Sequence, residues 1–398
     1  MTVQLTPRSE VKARIDRFRG ELEALRLDAA LIVQRADLFY LSGTGQQGYL
    51  FVPREGDPLL LIKKSLLRAS TESPLAQVLP LRNPSGLPEL LKECGHGGIK
   101  RLGMELDVVP TAQYFRYQKI FGSVQIEDVS PALRRLRMVK SPYEVSLMRA
   151  AALVAEKVYK AALANLRPEM TEVELAAALE HEARLNGHQG YVRVRAFNQE
   201  LGFGNIMAGA GASVPSYFDG ATGGSGLNPS MPIGAGVKPI RRGEPVILDT
   251  TVVVEGYIID QTRVVSLGSP AAHLREAHDV ALRIQRKIAV EARPGVGCED
   301  LYLLALEEAN SAGLKDNFMG YGPDQAGFVG HGVGLELDEW PVLARGFKQP
   351  LVAGMTLAVE PKFVFPGEGA VGIEDTFLVT DQGLEAISLP PLEIATIG

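Results

Sequence analysis

The sequence predicts an α/β N-terminal domain followed by an α+β C-terminal domain, and three observations carry that prediction. Helical and strand-like patterns alternate over the first third of the chain. A strong helix-start signal at Ser141 then opens a new helical register. Further on, apolar strand patterns carry isolated acids. At 398 residues the chain is too long for one ordinary core, so the boundary is set between domains 1–138 and 139–398.

In the first domain, VKARIDRFRGELEALRL (Val11 to Leu27) spaces its apolar residues for a helix. DAALIVQRADLFYLSG reads as a buried strand and a turn, LFVPREGDPLLLI as a hairpin turning near Gly56 and Asp57, and IKRLGMEL as a further strand. Ser141, Pro142 and Glu144 form a capping box with proline in the first turn, which starts a helix running to about Leu166. Thr171 and Glu174 repeat the device for a helix ending near Gly187. Residues 197–240 are rich in Gly, Ser, Pro and Asn and read as an extended loop or hairpin excursion. PVILDTTVVVEGYIIDQTRVVSLG reads as two antiparallel strands, followed by a long helix from about Ala271 to Ala292. After Pro294 come a shorter helix, the GHG segment and two final strands.

Hydrophobic residues make up 46% of the chain and charged residues 22%, as in a folded globular protein. The net charge of −6 gives no footprint for nucleic acid. Cys94 and Cys298 lie far apart without a CxxC spacing, which argues against a disulfide framework and a thiolate zinc site. The polar N-terminus has no apolar signal core, and no apolar run is long enough to span a bilayer, so a cytoplasmic location without membrane partners is expected.

The chemistry rests on acids in apolar surroundings. Asp249 and Asp260 follow PVIL and GYII, eleven residues apart on paired strands, and an ionised group buried there without a partner is costly. Glu360 in GMTLAVEP and Glu374 in AVGIEDTFLV repeat the situation. His331 stands between two glycines in GHGVGLELDEWP, where close backbone approach is permitted. Hard oxygen donors and an imidazole suit divalent cations.

This ordered set resembles the pita-bread metallopeptidases of the methionine aminopeptidase, prolidase and aminopeptidase P group, with prolidase nearest in ligand spacing. The stretches YEVSLMRAA, LDTTVVVEGYIIDQTR, GHGVGLELDEWP, GMTLAVEP and GIEDTFLVT carry the likeness, and DAALIVQRADLFYLSG is similar to a creatinase-type N-terminal domain. The resemblance implies a creatinase-type domain at 1–138 and a pita-bread catalytic domain at 139–398. It implies two divalent ions (manganese, cobalt, iron or zinc), one held by Asp249, Asp260 and Glu374, the other by Asp260, His331, Glu360 and Glu374. A metal-bound hydroxide would then attack an amide carbonyl, as in an Xaa-Pro dipeptidase or aminopeptidase, with Glu360 managing the proton. Thr262 and Arg263 would orient Asp260, and a homodimer is expected.

Four positions depart from the family pattern. Ser216 and Asp338 stand where the family has histidines that contact substrate or stabilise the intermediate, and Gly372 replaces an arginine. Ser216 and Asp338 thus join Glu360 as candidate catalytic groups. Lys362 follows Glu360-Pro361 where glycine is common; with Arg193 and Arg195 it is a candidate to pair with a substrate carboxylate or phosphate. Trp340 is a candidate to line the pocket, and Tyr217 and Phe218 to form a lid. Two alternatives stay open: a metal-dependent hydrolase or lyase acting on a non-peptide substrate, and a non-catalytic pita-bread binding protein.

Overall fold

The structure, a computed structural model, describes residues 4–389 and 391–398. Its backbone divides into two compact units, Met1–Arg137 and Met138–Gly398.

In the first unit the described residues form a six-stranded mixed sheet: β1 (Ala29–Ile32), β2 (Gly48–Pro53), β3 (Leu59–Ile62), β4 (Gln77–Pro80), β5 (Arg101–Met104) and β6 (Gln125–Asp128) in the order β4-β3-β2-β1-β5-β6. The central strand β1 is buried throughout and reads as an unbroken apolar run, as a strand covered on both faces should. The helix begins at Arg8 and ends at Ala24, turning Val11, Ile15, Phe18 and Leu22 inward at helical spacing. One expectation is corrected here: RADLFYLS is not a strand and turn but the helix Arg35–Ser42, capped by the Gln34 side chain and ended by Gly43 at φ 77°. A short apolar run does not reveal its period, and the cap decides it.

The second unit positions the site. The helix Pro142–Asn165 starts at Ser141, whose hydroxyl accepts from the Glu144 N–H at 3.2 Å while the Glu144 carboxylate accepts from the Ser141 N–H at 2.9 Å. Such a cap stabilises a helix by about 1 kcal/mol. The other Glu144 oxygen accepts from the Tyr257 hydroxyl at 2.9 Å, which ties the helix start to the sheet. That sheet runs β17-β9-β8-β7, with β7 (Gly204–Ala208), β8 (Pro245–Val254), β9 (Tyr257–Leu267) and β17 (Ala395–Ile397).

The C-terminal stretch is richer in strands than expected. Among the described residues it holds β10 (Phe328–Gly332), β11 (Glu339–Ala344), β12 (Thr356–Val359), β13 (Lys362–Phe365), β14 (Gly369–Gly372), β15 (Asp375–Thr380) and β16 (Gly383–Ala386), rather than a GHG segment and two strands. Five of them form the sheet β11-β10-β12-β15-β16, and β13 pairs with β14 alone. The helices Ala272–Glu291 and Cys298–Ser311 pack Leu274, Ala281, Ile284, Ile288, Leu301 and Ala305 against Leu343, Leu357, Val359, Phe363 and Phe377. Their apolar stripes cover one side of these strands and leave the acids on the other. Among the described residues, no helix is long and apolar enough to cross a membrane.

Candidate metal centre

The register of β8 against β9 makes the site possible. Asp249 pairs with Thr262 and Thr251 with Asp260, so both acids project to one face, offset by two residues. An isolated bridge between Thr262 and Glu374 brings in the third acid. Glu360 and Glu374 were expected within apolar strands. They lie instead at the breaks between β12 and β13 and between β14 and β15, where the chain leaves the five-stranded sheet for the small β13–β14 hairpin and returns.

His331 enters from β10, whose pairing with β11 shifts register on either side of it. The flanking glycines are required by contact: a Cβ on Gly332 would lie 2.2 Å from the Trp340 carbonyl oxygen, and one on Gly330 2.5 Å from that of Ala358. The His331 Nδ1 lies 3.0 Å from the Gly332 carbonyl and 3.5 Å from Asp338. A proton on Nδ1 serves both acceptors and leaves the Nε2 lone pair facing the acids. Nε2 stands 3.4 Å from Glu360 Oε1, 3.9 Å from Asp260 Oδ2 and 4.0 Å from Glu374 Oε1. Ligand atoms bound tetrahedrally at about 2.1 Å lie about 3.4 Å apart, so this spacing fits one divalent ion. Asp260, His331 and Glu374 are all buried and present donor atoms within 4.8 Å of one another.

The other side of the cluster is different. Lys362 is 2% exposed, and its Nζ donates to Glu360 Oε2 at 2.7 Å and Glu374 Oε2 at 2.8 Å, with Asp249 Oδ2 at 3.5 Å. Lys362 therefore does not reach toward an incoming substrate carboxylate; it is enclosed by the acids themselves.

The electrostatics follow from this crowding. Burial raises the Asp249 and Asp260 carboxyls, with neighbouring acids adding to it, and Asp260 lies well above the ordinary range. Burial and the charges of Glu360 and Asp249 lift Glu374 to about 7, against the opposing pull of Lys362. Burial would also raise Glu360, but Lys362 and His331 outweigh it and lower that carboxyl to about 2. For His331 and Lys362 burial disfavours the charge, yet the surrounding carboxylates win and raise both well above their usual values.

The supports differ from those expected. Thr262 and Arg263 serve Glu374 and its neighbour rather than Asp260: Thr262 Oγ1 donates to Glu374 Oε2 at 2.9 Å, and Arg263 donates to the Glu374 carbonyl at 2.7 Å and pairs with Asp375. Asp260 is held by Thr251, whose hydroxyl donates to Oδ1 at 3.2 Å, and by Thr376, which accepts its N–H at 3.1 Å. The turn after His331 is built on Glu339, which accepts from the Leu335 and Glu336 N–H groups and pairs with buried Lys140 at 2.9 Å. Sequence reasoning missed Thr251, Thr376, Glu339 and Lys140. Thr251 and Thr376 lie two residues from Asp249 and Glu374 and share their faces, a period-two signal that the sequence carries.

The acids, His331 and Asp338 surround a cavity of about 50 Å³. A neighbouring cleft of about 430 Å³ is lined by Ser216, Tyr217, Tyr321 and Pro366 and shares the wall Phe218–Ala221 with it. Ser216 thus lines the cleft and not the acid cavity, and its hydroxyl donates to the Pro232 carbonyl at 2.5 Å. Asp338, at φ 58° in the left-handed region, reaches the cavity with 41% of its side chain exposed. Trp340 is half-buried and packs against the apolar core behind the sheet. Arg193 stacks on the Tyr191 ring and Arg195 pairs with Glu336 at 3.5 Å; neither lines the two cavities.

A pita-bread arrangement of strands with buried carboxylates and an imidazole defines a metal-dependent hydrolase. Residues 146–381 match metallopeptidase family M24 and residues 14–139 the creatinase/prolidase N-terminal domain, and the chain belongs to family M24. It is 28% identical over 371 residues to the Xaa-Pro dipeptidase of Pyrococcus horikoshii, covering 92% of this chain and 94% of that one. The Pyrococcus furiosus Xaa-Pro dipeptidase is 25% identical, covering 96% of this chain and all (100%) of its own. In fold it is similar to the Xaa-Pro dipeptidase from Bacillus anthracis, with a TM-score of 0.82 at 23% identity, covering 97% of this chain and 100% of that one. The X-Pro aminopeptidase from Thermotoga maritima gives 0.80 at 24%, covering 96% and 99%.

Proposed function

We propose that this metallopeptidase hydrolyses the amide bond of Xaa-Pro peptides, as a dipeptidase or aminopeptidase, with a divalent cation held by His331 Nε2, Asp260, Glu360 and Glu374. The observation that carries the reading is the ring of carboxylate oxygens 3.4–4.0 Å from His331 Nε2 in a buried cavity. When bound, such a cation polarises the scissile carbonyl and makes water acidic enough to attack at neutral pH. Both relatives compared in sequence above are Xaa-Pro dipeptidases.

The chain's own residues supply position and orientation. The cleft beside the acid cavity has room for a dipeptide, and the Phe218–Ala221 wall sets how its scissile bond enters. Glu360, kept ionised by Lys362 and His331, would hold the cation through Oε1 and orient the attacking water as a hydrogen-bond acceptor. Asp338 holds the His331 imidazole through Nδ1. The test is hydrolysis of an Xaa-Pro dipeptide and an Xaa-Pro tripeptide by the manganese-loaded protein, before and after chelation. Release of free proline or of the N-terminal residue, abolished by chelation, is expected; a loaded protein that cleaves neither overturns the reading.

A second reading rests on Asp338, an acceptor at the cavity mouth. An ionised carboxylate there suits a substrate carrying a cationic C–N group, such as an amidino compound. Faster turnover of an amidino substrate than of any Xaa-Pro peptide would favour it, and the reverse ranking would remove it.

A further inference from the structure

We propose that the Lys362 ammonium permanently occupies the place of a second cation, so that the protein works with a single divalent ion. The proposal rests on the metal-dependent reading above and goes beyond it.

Glu360 and Glu374 each divide their two oxygens. Oε1 of both faces His331, while Oε2 of both accepts from Lys362 Nζ at 2.7 and 2.8 Å. Two carboxylates therefore bridge two positive centres, but one of those centres is a side chain. An ion bound at about 2.1 Å to Asp249 and to the Oε2 atoms would overlap the ammonium, since Nζ already lies 3.5 Å from Asp249 Oδ2 and less than 3 Å from the others.

The architecture holds the stem of this side chain in place. Lys362 is the first residue of β13, its backbone carbonyl accepts from the Met319 N–H at 2.9 Å, and it pairs directly with Gly372 on β14. A Cβ on Gly372 would lie 2.6 Å from the Lys362 Cα and 2.8 Å from its Cγ. The partner strand thus leaves open the space the lysine stem uses. The strand pair and the acid cluster are both shaped around this side chain.

Charge permits the same count, leaving one negative charge on the cluster. Asp249, Asp260, Glu360 and Glu374 bring four negative charges when ionised; one divalent ion and one ammonium offset three, and His331 remains a neutral ligand. The fixed cation cannot act as a Lewis acid, but it keeps Glu360 and Glu374 oriented whether or not the divalent ion is present.

The test is manganese stoichiometry on the full chain, by equilibrium dialysis with elemental analysis and by electron paramagnetic resonance. The wild type should hold a single equivalent with the spectrum of an isolated ion, and K362G should take up a further equivalent and show an exchange-coupled pair. A wild type that binds a coupled pair overturns the proposal while leaving the metallopeptidase reading standing. A wild type that binds none overturns both. Should K362G fail to fold, the wild-type stoichiometry and spectrum decide alone.

Discussion

The two ends of the acid cluster share two glutamates and differ in everything else. At the His331 end, lone pairs converge on a space that a small cation would fill. At the Asp249 end, the same glutamates close on an ammonium that the chain itself supplies. A bridging carboxylate therefore identifies two positive centres, not two metals. On the single-ion proposal, one end would exchange its cation with solvent, with an occupancy that depends on concentration. The other end would carry a cation that is part of the chain.

The largest test of this asymmetry is His331→Ala, which removes the one nitrogen donor at the exchangeable end. Peptide hydrolysis should fall more than about a thousandfold, and retained manganese should drop with it. Loss of activity with metal fully retained would break the comparison. Next comes Lys140→Met, which removes the ammonium that neutralises buried Glu339 beneath the turn that carries Asp338. Breaking such a pair should lower stability by about 3–5 kcal/mol in urea unfolding, since the desolvated charge loses its partner.

Chelation sharpens the contrast in another way. With free manganese at about a hundred times its Kd, removing the ion should lower the unfolding free energy by about 2.7 kcal/mol, yet the apo protein should stay folded because the Lys362 end remains neutralised. Circular dichroism with and without chelator checks both halves. Asp249→Asn should be milder: manganese content unchanged and hydrolysis reduced about tenfold, about 1.4 kcal/mol, because a hydrogen-bond acceptor still faces the ammonium. Loss of the metal in that variant would show that Asp249 is a ligand. Ser216→Ala should have the smallest effect, within about threefold in kcat/KM, because the hydroxyl is engaged by Pro232 in the neighbouring cleft.

The sequence made the acids visible because a buried carboxylate without a partner is unfavourable, and each one interrupts an apolar run. It did not show that Glu360 and Glu374 stand at the junctions of a strand pair that leaves the sheet, since no local pattern marks where a strand changes partners. Adjacency in sequence puts Thr262 and Arg263 beside Asp260. The antiparallel register instead pairs Thr251 with Asp260 and brings Thr262 to Glu374. Lys362 stands out in the sequence as an unusual residue that suits a substrate carboxylate or phosphate. Its spacing of two from Glu360 already put both on one side of an extended segment, so its actual partners were within reach of the sequence. The RADLFYLS helix was lost for the opposite reason: a short apolar run carries no reliable period, and the Gln34 cap that selects the helix is a side-chain contact.

Gly330 and Gly332 leave a practical trap for whoever maps tolerance to mutation across this chain. Neither carries a side chain that could bind an ion, yet any replacement would push a carbon into a carbonyl oxygen beside the imidazole between them. In a saturation scan scored by activity they would be as intolerant as His331 itself. Only a readout that separates folded protein from turnover would tell the hinge-pins from the chemistry.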